Sequence, residues 1–238
     1  MQAPVPSPGS RRHRCPPEVL GHAVWPYSRF ALRYRDGEER LAERGVVVTY
    51  ETIRQRCRTF GQPAANGLRR RRPRPGDTWP RDAVLSASNG RTHDRWRAVD
   101  QAGNLLAILA QPRRDKRAAT RFFRKLLTGL ARVPRVLITD QLASDGAAHR
   151  AVCPSVEQRR HTGLNNRAEN AHQPTRARER RMRRCTSPGH AQRSLAASGP
   201  ISAHCRPRRH RRTAAGYRET RTARFATWRA VTGTPALA

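Results

Sequence analysis

Val136-Leu137-Ile138-Thr139-Asp140 and, a short way on, Asn165-Asn166-Arg167-Ala168-Glu169-Asn170 are the phrases on which the fold turns. The first is a short apolar run that ends on a carboxylate and reads as a buried strand with an acid at its tip. The second reads as the start of a basic helix. A carboxylate closing a buried strand is costly without a cationic partner. A metal ion is one such partner, and a second carboxylate on a facing helix can share it. An earlier acid, Asp82, follows Trp79 in another strand-like stretch. Asp82, Asp140 and Glu169 are three hard oxygen ligands of the kind suited to a pair of Mg²⁺ ions. Taken singly, each acid has the plainer reading of a solvated or capping group.

Working outward, residues 77–111 read as three strands. Thr78 to Ala87 is the first, Asn89-Gly90 marks a hairpin turn, and Arg95 to Val99 is the second. Gln101-Ala102-Gly103-Asn104 turns into Leu105-Leu106-Ala107-Ile108-Leu109, whose continuous apolar run implies burial on both faces. Asp115 is placed to cap a helix in which Ala119, Phe122, Phe123, Leu126, Leu127 and Leu130 form an apolar stripe, the mark of a core-facing helix. A strand over 133–139 and a short helix near 142–152 follow. The order β-β-β-α-β-α, then a helix carrying Glu169, gives a mixed sheet with helices packed on it, an α/β chain of α+β character.

Ahead of this core, residues 18–60 alternate apolar and charged positions at helical spacing. Val19, Ala23 and Tyr27 mark a first helix, which Pro26 is expected to kink or end. Asp36 is expected to cap a second helix through Glu39, Leu41 and Ala42, and Gly45 to supply a tight turn. Thr49 caps a third, with Tyr50, Ile53 and Cys57 on one face and Arg54, Gln55 and Arg58 on the other. Helix, glycine turn, helix with an Arg/Gln outer face is the pattern of a helix-turn-helix, and equally of an ordinary helical hairpin. Arg69-Arg70-Arg71-Arg72 then precedes Pro73-Arg74-Pro75-Gly76, a linker able to track a phosphate backbone.

The charge favours the first of those two patterns. Lys and Arg total 49 against 17 Asp and Glu, a formal net charge of +32, and only Lys116 and Lys125 are lysines. Such a chain binds polyanions by counterion release, with nucleic acid the default partner. The apolar share of 36% and aromatic share of 5% are low for a chain that must bury a core, which predicts an ordered middle and loosely packed ends. Five scattered cysteines without a C-x-x-C pair fit a reducing compartment. No apolar run approaches the roughly 18 residues of a membrane span, and the N-terminus carries Pro and Arg where a signal peptide needs an apolar core. The expectation is a cytoplasmic protein without membrane contact.

The element order and the Asp82, Asp140, Glu169 set resemble an RNase H-like DDE transposase of a bacterial insertion sequence, specifically of the insertion-sequence-six family. Long phrases carry the resemblance: Tyr50-Glu51-Thr52-Ile53-Arg54, Arg71-Arg72-Pro73-Arg74-Pro75-Gly76-Asp77-Thr78-Trp79, Trp96-Arg97-Ala98-Val99-Asp100, Arg121-Phe122-Phe123-Arg124-Lys125-Leu126-Leu127, and Leu164-Asn165-Asn166-Arg167-Ala168-Glu169-Asn170. The resemblance covers roughly residues 13 to 233. The resemblance implies an RNase H-like core preceded by a small all-α helix-turn-helix domain. It implies two Mg²⁺ ions held by Asp82, Asp140 and Glu169 as the catalytic set, strand cleavage at element ends, strand transfer to target DNA, a homodimer on paired ends, and a bacterial, nucleoid-associated location. Arg176, two helical turns beyond Glu169, matches a basic residue that the family uses on DNA. With it, Thr49, Arg54, Gln55, Arg58 and Arg69, Arg70, Arg71 and Arg72 are the candidate DNA contacts.

The chain also departs from the family. Ala83 follows the first acid where a second acid is usual, and Pro80-Arg81 precede it where His and an apolar residue tend to stand. Arg56 replaces a usual Trp, and Thr186, Ser198 and Cys205 lie near positions that tend to be apolar or aromatic. Each change removes core volume or inserts a charge or a helix breaker. The expected organisation is a disordered basic arm over 1–17, a helix-turn-helix domain over 18–61, an Arg/Pro linker over 62–76, a catalytic domain over 77–185 and a weakly ordered basic region over 186–238. The functional expectation is a transposase performing metal-dependent strand cleavage and transfer. The alternative is a catalytically inactive remnant that only binds DNA. A third reading, a general nucleic-acid-coating protein, needs no acid triad.

Overall fold

A computed structural model describes residues 17–88, 91–101, 103–140, 143–160, 168, 173, 176–178, 180–181, 187–207, 209 and 212–234. The expected arm over 1–17, except Pro17, which opens a helix, the Asn89-Gly90 turn and Glu169 with its neighbours Asn165, Asn166 and Asn170 lie outside those residues. The chain divides into two compact units, one of residues 1–72 with 197–238 and one of residues 73–196.

The first unit opens with α1 (Pro17–Arg29), α2 (Tyr34–Ala42) and α3 (Tyr50–Arg71). Pro26 lies inside α1, whose helix runs three residues past it. A proline within a helix loses one N–H bond and its ring presses on the carbonyl four residues back, here that of His22, yet the helix continues through it. Asp36 sits at the third position of α2 rather than at its cap, where its Oδ2 accepts the Arg33 backbone N–H at 2.8 Å. Gly45 takes φ 73°, which lets the chain turn between α2 and α3. Thr49 Oγ1 accepts the Thr52 backbone N–H and caps α3. Helix α3 runs on to Arg71, so Arg69, Arg70 and Arg71 form its last turn and Arg72 its C-cap, where the reading from sequence has a linker. Cations there offset the negative end of the helix dipole. Ile53 packs with Leu41 and Ala23, whereas Tyr50, assigned to the same face, is exposed with Arg35 over its ring.

Two C-terminal helices contribute, α6 (Pro188–His204) and α7 (Ala214–Thr232). In the first unit Ile201 of α6 and Trp228 of α7 close a core with Val24, Ala64, Ala65 and Leu68. The few large apolar residues among the C-terminal arginines are thus the ones that anchor it.

The second unit is built on β1 (Thr78–Ser88), β2 (Arg91–Val99), β3 (Leu105–Gln111), α4 (Lys116–Leu130), β4 (Val136–Thr139), α5 (Ala143–Val152) and β5 (Glu157–Arg160). The sheet order is β3-β2-β1-β4-β5, with β1, β2 and β3 antiparallel and β4 and β5 parallel to β1. This is the mixed sheet expected for an RNase H-like core. On one face Trp79, Ala83, Trp96, Ala98, Ala107 and Leu137 meet Phe122, Phe123 and Leu126 of α4 and Ala148 of α5. The stripe read on α4 is therefore core, and Asp115 caps the helix by accepting the Ala118 backbone N–H at 2.7 Å. On the other face Leu105 and Ile108 meet Leu195 of α6. Gln192 of α6 also pairs with edge strand β3, accepting from Ala110 N and donating to the Ile108 carbonyl. Strand β5, Glu157-Gln158-Arg159-Arg160, has no apolar residue, and its edge position is what permits a wholly polar strand.

Helix α4 ends on Ala131 in the left-handed region at φ 47°. A Cβ is strained there and glycine is not. Ala131→Gly is expected to raise unfolding free energy by about 0.5–1 kcal/mol, read from the urea midpoint.

Candidate active site

Thr139 is buried at the end of β4, and Asp140 follows it at the sheet's rim. The parallel register between β1 and β4 pairs Thr78 with Val136, Trp79 with Leu137 and Pro80 with Ile138. Continued two residues further, it sets Asp140, just past the end of β4, level with Asp82 at the same end of the sheet. Asp82 is buried at 8% exposure, and its Oδ1 accepts the Ala83 backbone N–H at 2.8 Å. Across the antiparallel pair Arg97 stands directly opposite Asp82. Burial, with the like charge of Arg95 beside it, draws the Arg97 guanidinium down to about 10.

Asp140 is about a quarter exposed and is already held by two cations. Its Oδ2 accepts from Arg114 Nη2 at 2.6 Å. Its Oδ1 lies 3.6 Å from Arg81 Nη1 and makes no hydrogen bond. Arg81 precedes Asp82 and so projects to the opposite face of β1, into the apolar core. It has no solvent exposure, and its guanidinium sits 3.9 Å over the Trp96 ring. It forms an ion pair with Asp145 of α5, itself fully buried. Burial draws the Arg81 pKa down to about 9; Asp140 and Asp82 pull it up and Arg114 pushes it down. At neutral pH it remains a cation.

Of the sequence-derived acids, Asp82 on β1 and Asp140 just past β4 stand at the same end of neighbouring strands, while Glu169 lies outside the described residues. Arg176 is an exposed helical residue. In the first unit Gln55 and Arg58 are exposed on α3, and Arg54 is tied to Glu51 through Nε and Nη2. Arg70 and Arg71 are exposed at the end of α3, and Arg69 Nη1 donates to Asn66 Oδ1 at 3.2 Å. The reading from sequence did not include Arg97, Arg114 or Asp145 in the site, and took Arg81 only as a departure from the family. The pairing of Arg97 with Asp82 follows from the hairpin register. Nothing in the sequence marks Asp145 as the partner of Arg81, since α5 supplies it from more than sixty residues away.

Also on α5, His149 is buried and its Nε2 makes no hydrogen bond. Burial lowers its pKa, with Arg160 and Arg150 adding to the effect against a backbone hydrogen bond at Val156. A base with a lowered folded pKa contributes stability above its unfolded value of 6.5, and that contribution is lost as the pH falls toward the folded value. The midpoint of thermal unfolding is expected to drop between pH 7 and 5, and His149→Gln is expected to flatten that slope.

A family model described as a DDE domain, of the IS240 transposase type, matches residues 77–213, more than half of the chain. The chain belongs to this family. The resemblance to insertion-sequence-six DDE transposases is thereby borne out. Two curated Staphylococcus aureus relatives are the transposase for insertion sequence-like element IS431mec of strain Mu50 and the transposase for insertion sequence element IS257 in transposon Tn4003. Each is 29% identical over 131 residues, 55% of this chain and 58% of the relative. The chain thus spans 58% of the length of the curated relatives it matches. Among solved structures, the HTLV-2 integrase catalytic core domain in complex with magnesium aligns with 52% of this chain and 97% of its own. It does so at 12% identity and a TM-score of 0.34.

Asp82 and Asp140 fit a divalent cation in donor type, as hard carboxylate oxygens, and Asp140 Oδ1 is an acceptor without a hydrogen bond. Among the described residues no group of three or more His, Cys, Asp and Glu is gathered at one point, so this pair is what they supply.

Proposed function

We propose that this chain acts as an insertion-sequence transposase, binding element ends and carrying out metal-dependent DNA strand cleavage and strand transfer. The observation that supports the reading best is the β1/β4 register that sets Asp82 level with Asp140, in a chain whose family model is a DDE domain. Asp82 and Asp140 would hold the metal, with Glu169 completing the set; the resemblance implies two Mg²⁺ ions. When bound, such an ion activates the attacking oxygen and stabilises the leaving one. The chain's own part is positional. Asp82 lies on β1 and Asp140 follows the end of its neighbour β4, Arg97 stands across from Asp82, and Arg114 reaches Asp140 from the loop before α4.

DNA would be gripped by the helix-turn-helix pattern of α1 to α3, through Thr49, Arg54, Gln55 and Arg58, with Arg69, Arg70, Arg71 and Arg72 tracking the backbone and Arg176 near the cut. A net charge of +32 supports a steep salt dependence of that binding. The assembly would be a homodimer on paired ends, and its location the bacterial nucleoid.

A strand-cleavage assay on DNA carrying the element's own ends, run with and without Mg²⁺, tests the reading. Metal-dependent nicking is the expected result. Tight binding with no nicking would overturn the enzymatic part and leave a DNA-binding remnant.

A further inference from the structure

We infer that Arg81 is a resident cation at the acidic site, taking up the negative charge of Asp140 and so depressing divalent-ion occupancy in this chain. The inference rests on the reading that Asp82 and Asp140 hold the metal. Its basis is the position and immobility of one guanidinium. Arg81 has no solvent exposure, is stacked on Trp96, and is pinned by Asp145 from α5, so it has no route to solvent when an ion arrives. Its Nη1 lies 3.6 Å from Asp140 Oδ1, the one oxygen of that carboxylate left without a hydrogen bond. A divalent ion on Oδ1, at roughly 2.1 Å for Mg²⁺, would stand close to a fixed positive charge in a low-dielectric setting.

The charge count points the same way. Asp82, Asp94, Asp140 and Asp145 carry four negative charges. Arg81 and Arg114 carry two positive ones, and Arg97, opposite Asp82, and Arg95 beside it carry two more. The described cluster is therefore neutral before any ion enters. Hard divalent ions are held by an excess of carboxylate charge, because that attraction must outweigh the loss of the ion's hydration. An apolar residue at position 81 would leave the cluster one charge more negative and the space beside Oδ1 free of a cation.

The experiment is a Mn²⁺ titration of the full chain without DNA, counting free ion by its electron paramagnetic resonance signal. Arg81→Met is compared with the unsubstituted chain, and Arg81→Met with Asp82→Asn is the control that assigns binding to this site. Because Arg81→Met alone strands Asp145 in the core, Arg81→Met with Asp145→Asn removes the buried pair together, and Arg114→Gln removes the half-exposed cation. The expected result is Mn²⁺ affinity at least tenfold higher in the Arg81 variants, a smaller gain in Arg114→Gln, and loss of the gain when Asp82 is also changed. Equal, saturable binding in the unsubstituted chain and the Arg81 variants would overturn the inference alone. Binding in none of the folded variants would overturn it together with the metal-dependent reading. Nicking in the cleavage assay reports on that reading separately.

Discussion

Asp145→Ala is expected to lower the free energy of unfolding by about 3–5 kcal/mol, the loss typical when one partner of a buried ion pair is removed. Arg81 and Asp145 are both without solvent exposure, and the pair is enclosed by Trp96 and α5. With alanine at 145, Arg81 loses its ion-pair partner in the core and keeps Asp140 at 3.6 Å, a group it shares with Arg114. A guanidinium sealed in the core without that partner bears much of its desolvation cost. The discriminating comparison is the double change Arg81→Met with Asp145→Leu, which puts apolar groups of similar volume in both places. Such replacements are neutral or stabilising by about 1–4 kcal/mol. Urea unfolding followed by far-UV circular dichroism measures both. If the double variant is as unstable as the single one, the buried pair is not where the cost lies.

That pair also marks where the sequence stops being legible. The strands, the Phe122-Phe123-Leu126 face of α4 and the strand ending at Thr139 can be read because apolar residues recur at the spacing of their elements. Cap residues Thr49 and Asp115 and the turn at Gly45 are legible for local reasons, since each acts within three residues of itself. Strand β5 is not, because a polar edge strand has no hydrophobic period. The end of α3 is not, because Arg69-Arg70-Arg71 looks like a linker when judged by charge and like a well-capped helix end when judged by dipole.

The site follows the same division. Asp82 and Asp140 are legible as acids near strand ends, but their standing at one end of the sheet depends on a parallel register across more than fifty residues. Arg81 is legible as a residue out of place; its effect is not, because that depends on Asp145 arriving from α5 and Trp96 from β2. Long-range pairing carries no local pattern, so charge networks of this kind appear only in three dimensions.

Asp82→Asn is expected to abolish metal-dependent strand cleavage, by at least about 10³-fold in rate, or about 4 kcal/mol of barrier at 1.36 kcal/mol per decade. The substitution is nearly isosteric, and asparagine keeps an oxygen able to accept the Ala83 backbone N–H as Asp82 Oδ1 does. Fold disruption is therefore a poor explanation for a loss of that size. What disappears is one negative charge from a cluster already balanced by Arg81, Arg95, Arg97 and Arg114, which turns the site net positive and unfit for a divalent cation. End binding is expected to persist with its salt dependence unchanged, because the candidate DNA contacts on α3 lie in the other compact unit. The measurement is single-turnover nicking of labelled element-end DNA beside a gel-shift titration at several salt concentrations. Cleavage that survives the substitution would remove Asp82 from the catalytic set, whatever the register places beside it. Loss of cleavage and binding together would point to a damaged fold instead, and the unfolding midpoint of the variant separates those two outcomes.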